Sequence, residues 1–269
     1  MRIAFVGGGT MASALFGGLI ETSGDQAVSV SVIEPVAAQR ETLAGRYRIA
    51  CHAAPDATAL DADVIVLAVK PQQMREAAKA CAPFANDKLV ISVAAGIRIT
   101  DLQRWLEGHA RIIRAMPNTP ALIGMGITGL CAAEGAGESD RTAADKILRA
   151  VGETVWVASE DLIDAVTAVS GSGPAYVFRF IEAIEQAAIA VGLPPADARR
   201  LTIATFVGAS QLAARSSEPP AVLRERVTSK GGTTAAALST MEAAGLGDTL
   251  GLAVRAACER SRELGKSFS

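Results

Sequence analysis

Three consecutive glycines, Gly7-Gly8-Gly9, stand between an apolar run, Ile3–Val6, and a segment of helical composition that opens at Thr10. Glycine is the poorest helix former apart from proline, so this stretch reads as a turn between a strand and a helix. The spacing Gly7-x-Gly9-x-x-Ala12 gives each residue a task. Gly7 permits the tight turn, Gly9 lets a pyrophosphate approach the backbone, and Ala12 lets the helix pack close to its strand. The N–H groups that open the helix, at Thr10 and Met11, then point at the phosphates. An ordinary glycine-rich turn has the same composition. What favours a dinucleotide is the turn's place as the first strand–turn–helix of an alternating series.

The same stretch imitates a secretory leader. Ile3 to Ile20 carries no charge, follows Arg2 and contains Ala12-Ser13-Ala14. Yet Gly7, Gly8, Gly9, Gly17 and Gly18 all fall within it, which disfavours one continuous apolar helix. No other uncharged apolar run reaches membrane-spanning length, so no membrane association is expected.

As far as about residue 158, β-rich runs alternate with helical segments. The further runs are Val28–Ile33, Val64–Val69, Leu89–Val93, Arg111–Ala115, Ile127–Cys131 and Thr154–Val157. Between them lie segments such as Gln72–Ala82 and Arg141–Val151, the latter with Ser139 as a plausible N-cap. Val64–Val69 is apolar at every position, as a strand covered on both faces should be. Residues 1–158 therefore read as a Rossmann-like, doubly wound, mostly parallel sheet. From residue 159 the β signal stops. Val177, Ile181, Ile184, Ala188 and Val191 recur at helical spacing, and Gly192-Leu193-Pro194-Pro195 closes that helix and opens the next. Further helices are expected over about Ala196–Ala214, Ala221–Thr228, Thr234–Ala244 and Leu250–Leu264. The fold class is α/β, with residues 159–269 forming a second, all-α domain.

Composition removes several functions. The 26 Lys and Arg against 28 Asp and Glu leave a net charge of −2, and aromatic residues are 4% of the chain. Such a chain has neither the cations to release counterions from nucleic acid nor the rings to stack its bases. The four cysteines, Cys51, Cys81, Cys131 and Cys258, are far apart and the two histidines are isolated, so no metal site is expected. Unpaired thiols suit a reducing, cytoplasmic setting.

Ligands of open α/β sheets bind at the carboxyl ends of the strands. Glu34 ends the second run, where an acid accepts from a ribose diol or is simply a solvated loop residue. Lys70-Pro71 follows the third, either as a cofactor contact or as a helix start. Asn118, in Met116-Pro117-Asn118-Thr119-Pro120, either meets a ligand or belongs to a rigid turn. In Ser170-Gly171-Ser172-Gly173-Pro174, Ser172 or Gly173 is expected to cap the helix that follows. Ser229-Lys230-Gly231-Gly232-Thr233-Thr234 is a hydroxyl- and glycine-rich turn that opens another helix, and its N–H groups suit a carboxylate. By itself it also reads as a helix cap.

Taken together, Phe5–Ala12, Ala68-Val69-Lys70-Pro71, Ser92–Gly96, Ala115–Ala121, Ser170–Tyr176 and Ser229–Thr234 resemble the blocks of pyrroline-5-carboxylate reductases, in the same order and over essentially the whole chain. The resemblance implies a Rossmann domain followed by a helical dimerisation domain, and NAD(P)H-dependent reduction of a cyclic imine to L-proline. It implies that Gly7, Gly9, Thr10, Met11, Glu34, Ala68, Lys70 and Asn118 contact the cofactor. It also implies that Ser229 and the N–H groups of Gly232 and Thr233 hold the substrate carboxylate, while Thr234 is catalytic and hydrogen-bonds the ring nitrogen. The implied assembly is a homodimer or a larger ring of dimers. One departure is visible: Lys230 stands where the family usually has proline. With Glu34 at the ribose and neither Pro35 nor Val36 to offset its charge, NADH is expected over NADPH.

Two other functions share parts of this pattern. A β-hydroxyacid dehydrogenase shares the architecture but normally uses a lysine of the interdomain helix as its base, and Ser170–Gly192 contains none. A dinucleotide-sensing module has no use for the second anion-binding turn. Imine reduction needs a placed hydride and a proton on nitrogen, which suits a chain without an evident general base.

Overall fold

The computed structural model describes residues 1–22 and 28–267. The elements of the first half are β1 (Arg2–Val6), α1 (Thr10–Thr22), β2 (Ser29–Ile33), α2 (Ala37–Tyr47), β3 (Ala50–His52), β4 (Val64–Leu67) and α3 (Pro71–Cys81). There follow β5 (Leu89–Ser92), α4 (Ile99–Trp105), β6 (Ile112–Met116), β7 (Gly126–Ala132), α5 (Glu138–Arg149), β8 (Gly152–Trp156) and α6 (Leu162–Val166). The strands form one sheet in the order β3-β2-β1-β4-β5-β6-β7-β8. All neighbours are parallel except β6 and β7. The order reverses between β1 and β4, which opens the crevice where dinucleotides bind in such sheets.

The strand residues explain the two helical layers. Phe5, Val32, Val64, Val66 and Ile91 face one buried cluster, with Leu15, Phe16 and Ile147. Val6, Ile65, Leu67, Val90 and Ile112 face the other, with Met74, Leu102 and Trp105. Alternate residues of a strand point to opposite faces, so a run like Val64–Leu67 supplies both cores.

The second half is helical: α7 (Gly173–Ala190), α8 (Pro195–Arg215), α9 (Pro220–Arg226), α10 (Thr233–Ala243) and α11 (Leu246–Ser267). Two compact units result, one of Met1–Ser172 with the chain from Ala256 onward, the other of Gly173–Arg255. The second unit has almost no core of its own. Among its described residues only Ala198 and Thr202 are buried, while Phe178 is 65%, Leu212 71% and Val191 84% exposed. The apolar stripe of α7 is real but lies open. Contiguous exposed apolar surface of this kind marks an interface.

Several local expectations are corrected. β3 has only three residues and no hydrophobic run to announce it. α5 starts at Glu138, so Ser139 lies inside its first turn, and Asp140 accepts the Gly137 N–H at 3.1 Å instead. Ser172 is not an extended N-cap either. It is helical, and its N–H donates to the Thr167 carbonyl at 2.8 Å in a π-turn over Thr167–Gly171 that runs directly into α7.

Candidate active site

In the first unit the β1–α1 turn is built as its glycines require. Gly7 has φ +100, a conformation that strains any L side chain, and a Cβ there would meet the Ala68 carbonyl oxygen at 2.8 Å. Its N–H donates to the Ile33 carbonyl at 2.8 Å, which locks the turn to β2. Ala68 therefore lies directly over the turn. A Cβ on Gly9 would meet nothing within 4 Å, so the backbone there is open to a ligand. Ala12 is fully buried, and Thr10 opens α1. The first helical N–H groups, at Thr10, Met11 and Ala12, have no carbonyl within the helix to bond.

Glu34 stands beside this turn. Its Oε2 accepts the Gly8 N–H at 3.1 Å and its Oε1 the Val36 N–H at 3.0 Å. Arg40 Nη1 donates to the carbonyls of Glu34 and Pro35 at 2.8 and 2.7 Å, and Gln39 Nε2 to the Gly8 carbonyl at 3.1 Å. Sequence reasoning treated Gly8 as a free position of the motif and did not single out Gln39. Both belong to the cradle. The signal for Gly8 was its place in the middle of three consecutive glycines; Gln39 had none.

The remaining residues of this unit differ. Lys70 is an exposed residue in extended conformation at the start of α3, with Pro71 in the first turn. Asn118 is 8% exposed and its side chain serves the backbone. Its Nδ2 donates to the Ser170 carbonyl at 3.2 Å, and its Oδ1 accepts the Ile127 N–H at 2.9 Å. It ties the end of β6 to β7 and to the π-turn, which leaves one N–H and one lone pair for a ligand.

In the second unit the Gly232 N–H donates to the Ser229 carbonyl at 3.0 Å, closing a four-residue turn. Gly231 has φ +75 at its third position, the mark of a type II turn. Lys230 is therefore at the second position, where proline is favoured. Because the Gly232 N–H is engaged within the turn, the outward donors are those of Thr233 and Thr234, in the first turn of α10. A Cβ on Gly232 would lie 2.9 Å from Ser229 Oγ, so glycine leaves that hydroxyl beside the helix start. Ser229 and Thr233 are exposed, and Thr234 is half-buried.

The cysteines and His109 stand apart from these turns. Burial pushes the Cys81 thiol up to about 12 and the His109 imidazole below its usual value. Among the described residues, no three His, Cys, Asp or Glu side chains are grouped to hold a metal ion.

The model of pyrroline-5-carboxylate reductase dimerisation matches residues 160–264, and that of coenzyme F420-dependent NADP oxidoreductases matches residues 2–96. The pyrroline-5-carboxylate reductase of Pseudomonas aeruginosa is 43% identical over 268 residues, covering 99% of this chain and 98% of that one. This chain belongs to the pyrroline-5-carboxylate reductase family. The reductase of Synechocystis sp. is 40% identical, covering 99% of both chains. Among solved structures, the reductase of Coxiella burnetii matches with a TM-score of 0.91 at 38% identity over 97% of both chains. The Plasmodium falciparum reductase, solved with NADP bound, matches with a TM-score of 0.85 at 29% identity over 98% of both. The match to a dimerisation segment is consistent with the exposed apolar helices of the second unit. No helix among the described residues is long and apolar enough to cross a membrane.

Proposed function

We propose that this chain reduces 1-pyrroline-5-carboxylate to L-proline, the last step of proline biosynthesis, as a homodimer or a ring of dimers in the cytoplasm. Two domains share the work, a Rossmann domain over residues 1–158 and a helical substrate and dimerisation domain over 159–269. A bound nicotinamide cofactor would supply the hydride for the imine carbon. Gly7, Gly9, Thr10 and Met11 would receive its pyrophosphate, Glu34 its adenosine ribose, and Ala68, Lys70 and Asn118 its remaining length.

The observation that carries the reading is the Ser229–Gly232 turn. It sets a hydroxyl beside the free N–H groups of Thr233 and Thr234, an arrangement suited to one carboxylate. Thr234 places a second hydroxyl in the same first turn of α10, for the ring nitrogen. A protonated imine is already electrophilic. Holding its carboxylate and orienting its nitrogen therefore supplies most of what the protein must contribute. The carboxylate is held by Ser229 and Thr233, with Gly232 as the turn's closing residue.

NADH is favoured over NADPH, because Glu34 would hold the adenosine ribose and its charge would oppose a 2′-phosphate. Nicotinamide absorbance, followed with pyrroline-5-carboxylate and each dinucleotide, tests the whole reading. Oxidation of cofactor that depends on the imine is expected, and its absence with both dinucleotides overturns it.

A further inference from the structure

The last turns of α11 are far from both turns in sequence, yet they pack on one loop of the nucleotide unit. That loop, Val93–Arg98, joins β5 to α4. Its first residues are held by the sheet: Val93 N–H donates to the Leu67 carbonyl at 3.1 Å and Ala94 N–H to Ser92 Oγ at 3.4 Å. Its middle is held by α11. A Cβ on Gly96 would lie 3.3 Å from Leu264 Cβ and 3.6 Å from Gly265 N, while one on Gly265 would lie 3.5 Å from the Gly96 carbonyl oxygen.

A buried polar chain fixes the loop's exit. Ser261 Oγ donates to Asp164 Oδ1 at 2.7 Å, and the two residues are 4% and 2% exposed. The other carboxylate oxygen, Oδ2, has no hydrogen-bond partner among the described residues and lies 3.8 Å from Arg98 Nη2. Arg98 Nη1 also donates to Asp161 Oδ1 at 3.0 Å. One residue on, the Ile99 N–H donates to Glu160 Oε1 at 2.7 Å. Ser261 thus supplies the hydrogen bond seen on a buried carboxylate whose charge faces the loop's last side chain.

β5 lies beyond the β1/β4 switch point, on the side away from Glu34 and β2. In a sheet of this order the two halves of a dinucleotide lie on opposite sides of that point. The loop after β5 therefore borders the nicotinamide half, if the cofactor reading above holds, on which this inference rests. We propose that Ser261 is a positioning residue for the cofactor: through Asp164 and Arg98, the end of α11 keeps Val93–Arg98 in the shape that the nicotinamide half requires.

The test uses the full chain, with Ser261→Ala, Ser261→Thr and the surface control Glu263→Ala. Calorimetric titration compares the preferred dinucleotide with its adenosine-side fragment, ADP-ribose or its 2′-phosphate. Ser261→Ala is expected to weaken the dinucleotide by roughly tenfold, as loss of a hydrogen bond to a charged group would, with fragment affinity unchanged. Ser261→Thr restores binding and Glu263→Ala leaves it intact. Amide exchange should quicken at residues 93–98 in Ser261→Ala and stay the same at Gly7–Ala12. Equal losses for dinucleotide and fragment, no loss for either, or unchanged exchange in the loop each overturn the proposal. If Ser261→Ala does not fold, Gly265→Leu, which forces a side chain against the Gly96 carbonyl, carries the same measurements. A wild-type protein that binds neither probe overturns the cofactor reading, and the exchange data alone then decide whether α11 clamps the loop.

Discussion

Gly8 and Glu34, 26 positions apart, are joined by a 3.1 Å hydrogen bond from the Gly8 N–H to Oε2 of the carboxylate. The Val36 N–H holds the other oxygen at 3.0 Å. Glu34 is thus fixed by two backbone donors, and a Cβ at residue 8 would lie 3.4 Å from Oε2 and 2.5 Å from Leu43 Cδ1. The glycine that the dinucleotide motif leaves unspecified is the one that sets the acid.

Cofactor choice should follow from that fixed charge. Wild-type kcat/KM is expected to favour NADH at equal ionic strength. Glu34→Ser should raise the NADPH value, because it removes the acid and leaves the Arg40 guanidinium docked on the carbonyls of residues 34 and 35. A wild-type preference for NADPH contradicts this.

The substrate turn should respond differently at its two ends. Ser229→Ala removes a hydrogen bond to a charged group, worth on the order of 1.5–3 kcal/mol. A bond equally strong in ground and transition states acts on KM, which should rise roughly tenfold with kcat little changed. Thr234→Ala acts at the atom whose protonation changes, so kcat should fall as well, while Thr234→Ser retains most activity. Near wild-type steady-state kinetics for both alanine variants would reduce the turn to a helix cap.

Lys230→Pro should stabilise the protein. Lys230 occupies the second position of a type II turn, whose backbone angles proline already has. Restricting the unfolded chain there is worth about 0.4–1 kcal/mol. A lower melting temperature for the variant would show that the Lys230 N–H or side chain has a role of its own.

Assembly should be obligate. Light scattering is expected to give at least twice the 27.6 kDa chain mass at micromolar concentration. Phe178→Glu, in the open face of α7, should lower the mass and the melting temperature together. A stable, folded monomer would mean that the exposed stripes of α7 and α8 serve another purpose.

Acid should unfold the nucleotide unit partly through Asp140. Arg111 holds this carboxyl below the usual range through bonds from Nε at 3.2 Å and Nη2 at 2.6 Å. A depressed carboxyl contributes stability above its unfolded pKa, near 3.9, and loses it as pH falls through the lower folded value. Asp140→Asn should therefore lower stability at pH 7 and flatten its decline below about pH 4. Melting curves from pH 7 to pH 2 that run parallel for the two proteins would exclude that role.

What the sequence determined was whatever local chemistry decides. Gly7 announced the nucleotide turn because its backbone, at φ +100, suits only glycine, and Val64–Leu67 announced a doubly covered strand because both of its faces are apolar. The five helices from α7 onward were legible, apart from their ends, whereas α6 and the π-turn before α7 were not. Relationships between distant segments were not legible. Asn118 read either as a ligand contact or as part of a rigid turn, and the bonds of its amide to β7 and the π-turn exist only because the folded chain brings those segments within reach. The Gly232 N–H looked available until the turn closed on Ser229. Ser261 gave no signal at all, because its partner is 97 positions away. Periodicity and turn chemistry act over a few residues, so the sequence discloses elements. A buried carboxylate finds its donor only after those elements pack, and that pairing is decided by tertiary structure.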